Sequence, residues 1–269
     1  VGSVSANTGI ILALSLFFLP VAIKREEYLF KNSLYIGTLL LLLISFKDRI
    51  FDRADCLLLL LAGILFLVEN VKNAVCKKEL SNSKRKKEDV ILHKKIQAGK
   101  NGEKKVKNKR SKWKEKQSSI WETFFWFCIG AVCIVAGSEL LVHSACKIAE
   151  ILHISEDIIS VTIVAMGTSL PELVTTVTAI LKKESSLSVG NIIGANMIDS
   201  AFILPICTLL SGEKLPVSLQ MAQIDMPLCI LISVLALLPM LIRQKIKRRD
   251  GILVFSIYVG YLLYICWAI

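Results

Sequence analysis

Apolar stretches close to the length of a membrane-spanning helix recur eight times along this 269-residue chain, at about 4–23, 33–46, 56–75, 120–142, 157–181, 187–211, 217–242 and 251–269. A hydrocarbon core is crossed by roughly 20 helical residues, and a helix is the one open-ended element that satisfies its own backbone groups in lipid. The composition agrees: 54% of the residues are hydrophobic and the mean hydropathy is +0.60, yet the formal charge is +11. That combination excludes a soluble enzyme, a disordered chain and a disulfide-stapled secreted module. The expected class is an all-α, multi-pass membrane protein.

Lys and Arg are distributed unevenly between the runs. One set of connections holds Lys24, Arg25 and Lys31, then the whole of 77–119, then Lys182 and Lys183, then Arg243 through Arg249; the other holds only Lys47, Arg49, Arg53, Lys147 and Lys214. Rich and poor connections alternate, so the positive-inside rule makes the segment 77–119 cytoplasmic, runs the first span inward and leaves Ile269 outside, in a cell membrane. Residues 77–119 carry 17 Lys or Arg against 5 acidic residues and a single aromatic, Trp113. Without aromatic interleaving or a recognisable module, no nucleic-acid partner is expected; the segment reads as a solvated loop with affinity for anionic lipid headgroups. The eight cysteines form no C-x-x-C pair and read as small buried hydrophobes, and the three histidines match no metal-ligand spacing.

The chain also repeats itself. Gly2-Ser3-Val4-Ser5-Ala6-Asn7 resembles Gly194-Ala195-Asn196-Met197-Ile198-Asp199 at an offset of 192; Leu19-Pro20-Val21 recurs as Leu215-Pro216-Val217 at 196; Arg53-x-Asp55 recurs as Arg248-x-Asp250 at 195. A unit of five spans is odd, so the two copies must lie oppositely in the membrane, the inverted-repeat plan of antiporter bundles whose ion sites form where the repeats meet. The expected organisation is a remainder of the first repeat over 1–76 (three spans), the basic loop over 77–119 and a second repeat of five spans over 120–269. Counterparts of the spans at 120–142 and 157–181 would lie upstream of Val1, so eight spans of an expected ten are present on this reading.

Two local patterns carry chemistry. In Ala165-Met166-Gly167-Thr168-Ser169-Leu170-Pro171-Glu172-Leu173, Pro171 removes a backbone donor and Gly167 permits unwinding, so a broken helix with freed carbonyls near Ala165 and Thr168 is expected. Irregular backbone at membrane depth is tolerated only where it lines a cavity or coordinates something, and an ionisable residue there marks function by default. Pro171 alone would read as a kink; with Glu172, Thr168 and Ser169 beside it, the segment reads as a site. Some 27 residues beyond Glu172, the pattern Gly190-Asn191-Ile192-Ile193-Gly194-Ala195-Asn196-Met197-Ile198-Asp199 adds amide oxygens and a second carboxylate. A hairpin near Lys182–Ser186 brings Asp199 back to the depth of Glu172. Carboxylates, hydroxyls and carbonyls without Cys or His suit Ca²⁺ and Na⁺. Asp225, two residues before Pro227, reads instead as a helix N-cap.

At these residues, within 165–199, the sequence resembles the second α-repeat of the sodium/calcium exchanger family, in the cation/Ca²⁺ antiporter superfamily. The resemblance runs over 120–269 and includes Gly137-Ser138-Glu139-Leu140-Leu141-Val142 and Ser155-Glu156. It implies ten spans, with alternating access for Na⁺ and Ca²⁺ achieved by sliding the first and sixth spans over the others. It further implies that Glu172 is the principal Ca²⁺ carboxylate and the Thr168 carbonyl a second ligand. Ser169 and the Ala165 carbonyl would serve Na⁺, with the Asn196 amide in the same set. Asp199 would line the central polar cluster opposite Asn7, and Ser3 would offer a hydroxyl to Na⁺. Ala195 stands where the family has serine and Val4 where it has asparagine. The first-repeat partner of Glu172 would fall about 20 residues before Val1 by the repeat offset. The expectation is therefore a Na⁺/Ca²⁺ antiporter, not an enzyme, with no cofactor beyond the transported ions and no obligate protein partner. The alternatives are a truncated or degenerate, non-transporting member of this family, or an exchanger of another cation.

Overall fold

The computed structural model describes residues 1–18, 25–97, 120–154, 159–212, 214–244 and 247–268. Leu19-Pro20-Val21, Ser155-Glu156 and residues 98–119 of the basic segment lie outside the described residues. The described chain is almost entirely helical. The helices are α1 (Gly2–Phe18), α2 (Arg25–Ser45), α3 (Arg53–Gln97), α4 (Ile120–Ile151), α5 (Ala165–Thr168), α6 (Leu170–Leu181), α7 (Ser185–Ile198), α8 (Leu204–Ser211), α9 (Met226–Arg243) and α10 (Arg248–Ala268). Two dipeptide strands, β1 (Ile50–Phe51) and β2 (Leu215–Pro216), pair antiparallel. Among the described residues six helices are long and apolar enough to cross a membrane, and the bent pair Thr162–Thr168 and Leu170–Leu181 makes a seventh if counted as one span; α1, Gly2–Phe18, is apolar but shorter.

The chain divides into two compact units. One comprises Val1–Phe66 with Ile134–Ile269 and holds every candidate site residue; the other comprises Leu67–Cys133. In the second unit the structure departs from the sequence reading, since α3 continues without a break to Gln97, through half of the segment expected to be loop. No Gly or Pro occurs between Ile64 and Gln97, and the Lys, Arg and Glu that make the segment basic are also good helix formers.

In the larger unit the core lies between α1, α2, α7, α9 and α10, filled by fully buried side chains such as Leu12, Leu39, Ile192, Met197, Ile232 and Tyr258. Four π-helical turns interrupt the α-helices among the described residues: Asn7–Leu12 inside α1, Ser160–Val164 before α5, Asp199–Ile203 between α7 and α8, and Met221–Asp225 before α9. Such turns mark functional positions in many helices because each inserts a residue that the α-ladder cannot absorb.

The sequence repeat reappears as geometry. The π-turns opening at Asn7 and Asp199 stand 192 residues apart, and left-handed Arg49 (φ 56°) and Gln244 (φ 51°) stand 195 apart. At the starts of α3 and α10, Asp55 and Asp250 each accept the backbone N–H three residues earlier, from Asp52 at 3.1 Å and from Lys247 at 2.9 Å. Asp52 reciprocates by accepting the N–H groups of Ala54 (2.9 Å) and Asp55 (3.2 Å), a capping box that pins the start of α3. Gly9 lies under the Tyr258 ring, where a Cβ would come within 2.4 Å of Cγ, and Gly63 lies under the Phe202 ring, where a Cβ would come within 2.5 Å of Cε2.

The Asp55 N–H, and then that of Ala54, hold the exposed Asp52 carboxyl below the usual carboxylate range. Its stabilisation is therefore present above about pH 4 and lost as pH falls through the lowered value. Asp52→Asn, which keeps the capping oxygen but does not titrate, should give a shallower loss of thermal stability in that acid range. Gly9→Ala should destabilise by about 1–3 kcal/mol because the Tyr258 ring cannot yield. Gly37→Ala, with nothing within 4 Å of the added Cβ, should be neutral or stabilising by up to about 1 kcal/mol. Equal thermal midpoints in detergent for the two glycine variants would refute the close-packing account.

Candidate functional site

The Gly-Thr-Ser-Leu-Pro-Glu segment forms a bend of 54° between Thr162–Thr168 and Leu170–Leu181. Ser169 is the hinge residue, at φ −92° and ψ 0°, and Pro171 occupies the first turn of α6, where its missing N–H costs nothing. The Ser169 N–H turns to the Met166 carbonyl at 3.1 Å. The Ala165 carbonyl receives side-chain hydroxyls instead, from Ser169 Oγ at 3.0 Å and Thr168 Oγ1 at 3.1 Å. Three oxygens are thereby gathered at the bend. Gly167 has a role the sequence reading did not assign: it remains helical, and a Cβ there would lie 1.9 Å from Cγ2 of Val142, so its service is to admit α4 to close contact.

Beyond the bend, Glu172 is half-buried, with Oε2 fully enclosed and lacking a hydrogen-bond partner. The tight turn at Lys182–Glu184 returns the chain antiparallel as α7, and Asn191 Nδ2 on α7 donates to Thr175 Oγ1 on α6 at 2.7 Å. Asp199 opens the π-turn at the end of α7, where its Oδ2 accepts the Ser3 hydroxyl at 2.8 Å. Ser169 Oγ also lies 3.4 Å from the Ser3 carbonyl, so α1 is tied to both halves of the motif.

A cavity of about 580 Å³ is lined by Ser3, Thr168, Glu172 and Asp199 on its polar side and by Leu39, Met226 and other apolar residues opposite. A second, of about 450 Å³, is bordered by Glu172 and Asp199 again, together with Gly190, Asn191, Gly194 and Ala195. The small residues of the glycine-rich pattern thus leave the space that the second cavity occupies. Neither Asn7 nor Asn196 lines either cavity. They face each other, with Asn7 Nδ2 donating to Asn196 Oδ1 at 3.0 Å. Among the described residues no three His, Cys, Asp or Glu side chains come together, so a cation here would be met by two carboxylates and by neutral oxygens.

Sequence reasoning missed several polar residues. Asn196 Nδ2 also donates to Thr8 Oγ1 and to the Tyr35 hydroxyl, each at 3.0 Å, and Tyr35 pairs with Ser233 Oγ at 3.0 Å. These residues come from α1, α2, α7 and α9, and no local pattern links them. Asp225 is corrected: it makes no capping bond and instead accepts the Tyr261 hydroxyl at 2.9 Å while buried. The π-turn Met221–Asp225 keeps the backbone helical through Asp225, so no free N–H groups await a cap. Glu69 accepts from Asn73 Nδ2 at 3.0 Å.

Comparison with known proteins places the fold. The chain superposes on the sodium-calcium exchanger NCX_Mj with a TM-score of 0.68 at 25% identity, covering 98% of this chain and 74% of that one. It is 33% identical over 145 residues to the putative antiporter CaxA of Alkalimonas amylolytica and 35% identical over 141 residues to the sodium/calcium exchanger MaX1 of Methanosarcina acetivorans. Each alignment takes in 52% of this chain but only 44% and 39% of those relatives, so the match spans less than half of their length. An uncharacterized membrane protein of Methanocaldococcus jannaschii, MJ0091, is 28% identical over 263 residues, covering 96% of this chain and 72% of its own. The family model described as sodium/calcium exchanger protein matches residues 122–267, more than half of the chain and all of the bend, the hairpin and both carboxylates. A multi-pass helical membrane protein with this motif and this fold belongs to the sodium/calcium exchanger family.

Proposed function

We propose that the chain exchanges Na⁺ for Ca²⁺ by alternating access, Na⁺ moving inward and Ca²⁺ outward through one shared oxygen site. The observation that carries this reading is that Glu172 and Asp199 border both cavities, so one pair of carboxylates is approached from two directions. The site sits where residues of the two sequence copies meet, Ser3 from one and Asp199 from the other.

The chemistry follows from charge. Ca²⁺ takes 6–8 oxygens, and Glu172 and Asp199 offer four between them, with the Thr168 carbonyl and neighbouring neutral oxygens completing the set. Na⁺ is served by the oxygens of Ala165, Ser169, Ser3, Asn7 and Asn196 together with the same carboxylates. Two negative charges neutralise one Ca²⁺ or two Na⁺, so the ions compete for the same anions. An uncompensated carboxylate pair is costly in a low-dielectric interior, which disfavours crossing with an empty site and couples the two fluxes.

The same reading assigns 1–76 and 120–269 to oppositely oriented repeats, with 165–199 as the ion-binding motif of the second. The nearly constant offsets in turns, caps and left-handed residues, 192 to 195, support it. Residues 77–119 form the cytoplasmic connection in a cell membrane. Their excess of 17 basic over 5 acidic residues supports attraction to anionic headgroups, worth about 1 kcal/mol per basic residue near the surface.

In vesicles reconstituted with the chain, Glu172→Gln should lower Na⁺-dependent Ca²⁺ uptake by more than about 100-fold, exceeding the loss typical of outer-shell partners. Asp199→Asn should change the Na⁺ dependence of uptake while leaving some Ca²⁺ flux. Unaltered uptake in the Glu172 variant would refute the shared site, and Ca²⁺ binding without any flux in the unaltered chain would favour a non-transporting member of the family.

A further inference from the structure

An asparagine amide has two ends of nearly equal shape and opposite electrical sense, and a cation accepts only one of them. Asn7 is 1% exposed, and its Oδ1 is buried with no hydrogen-bond partner, while its Nδ2 donates to Asn196 Oδ1. What fixes that direction lies further along the chain of bonds. The Thr8 hydroxyl spends its hydrogen on the Val4 carbonyl at 3.0 Å, so towards Asn196 it can only accept. Asn196 therefore turns its NH₂ group to Thr8 Oγ1 and to the Tyr35 hydroxyl, each at 3.0 Å. Its oxygen is left facing Asn7, whose own NH₂ must turn to meet it. Thr8, Tyr35, Asn196 and Ser233 are all at most 1% exposed, so water does not compete for any of these bonds.

We propose that Asn196, read by Thr8 and Tyr35, is a positioning residue that sets the direction of the Asn7 amide, so that an oxygen and not an NH₂ group is presented to Na⁺ or Ca²⁺. This rests on the cation site proposed above and alters one part of it: Asn196 acts through Asn7 instead of touching the ion, since its oxygen and both its hydrogens are already engaged. The line of hydrogen bonds has a polarity, and it terminates in the one acceptor left free.

The test is calorimetric titration of the purified chain in detergent with CaCl₂ and with NaCl. Thr8→Val with Tyr35→Phe removes both groups that read the Asn196 amide while nearly preserving shape. Affinity should fall about 10–100-fold, the range for partners that orient a ligand, and Thr8→Ser, which keeps the acceptor, should bind as the unaltered chain does. In an Asn7→Ala background the same pair should change affinity by less than about two-fold, because no amide remains to be oriented. Equal weakening in both backgrounds would assign Thr8 and Tyr35 a merely structural role and overturn the inference, as would unchanged affinity of the pair. Where the pair does not fold, Thr8→Val alone gives the same comparison. Weakening by Asn7→Ala without any effect of the pair overturns the positioning role and leaves the cation site standing. Absence of Ca²⁺ and Na⁺ binding by the unaltered chain removes both.

Discussion

A carboxylate enclosed among apolar helices needs a compensating charge or a set of donors, and the arrangement around Glu172 and Asp199 is organised by that need. Glu172 Oε2 is enclosed with no donor, and Asp199 receives the Ser3 hydroxyl. Leaving an anion so poorly met in a low-dielectric interior costs several kcal/mol. The remainder of the larger unit surrounds this one unfavourable placement with a packed core, in which α1, α2, α7, α9 and α10 bury large side chains.

Around the carboxylates, neutral oxygens are held in place by bonds to one another. Thr168 and Ser169 converge on the Ala165 carbonyl, and Ser169 reaches the Ser3 carbonyl across to α1. These short-range ties keep the dipoles of the bend oriented.

Much of this was legible in the sequence because membrane helices announce themselves by length and apolarity, and because Thr168, Ser169, Pro171 and Glu172 are adjacent in the chain. The hairpin at Lys182–Glu184 followed from the spacing between the two patterns. What was not legible depends on contacts between distant positions. Tyr35 meets Asn196 across 161 residues and Ser233 across 198, and nothing local in either helix reveals it. Asp225 misled for a related reason: an acidic residue before a proline looks like a cap unless the preceding turn is already helical, and π-turns carry no sequence signal. The continuation of α3 to Gln97 was hidden by charge, since a strongly basic run reads as solvated whether or not it is helical.

The π-turns have a bearing on how the molecule tolerates mutation. Asn7 and Asp199 each open one, and each turn accommodates an additional residue within an otherwise regular helix. Losing that residue would return the turn to the regular α-helical ladder and close the widened hydrogen-bond spacing that begins at Asn7 or Asp199. Substitutions alter the polar groups one at a time, whereas a single-codon deletion within either turn redirects the side chains of the turn together while the flanking helices keep their phase. The effect of such a deletion therefore falls on Asn7 or Asp199 and their neighbours in the turn, and the packing of the helices on either side is spared.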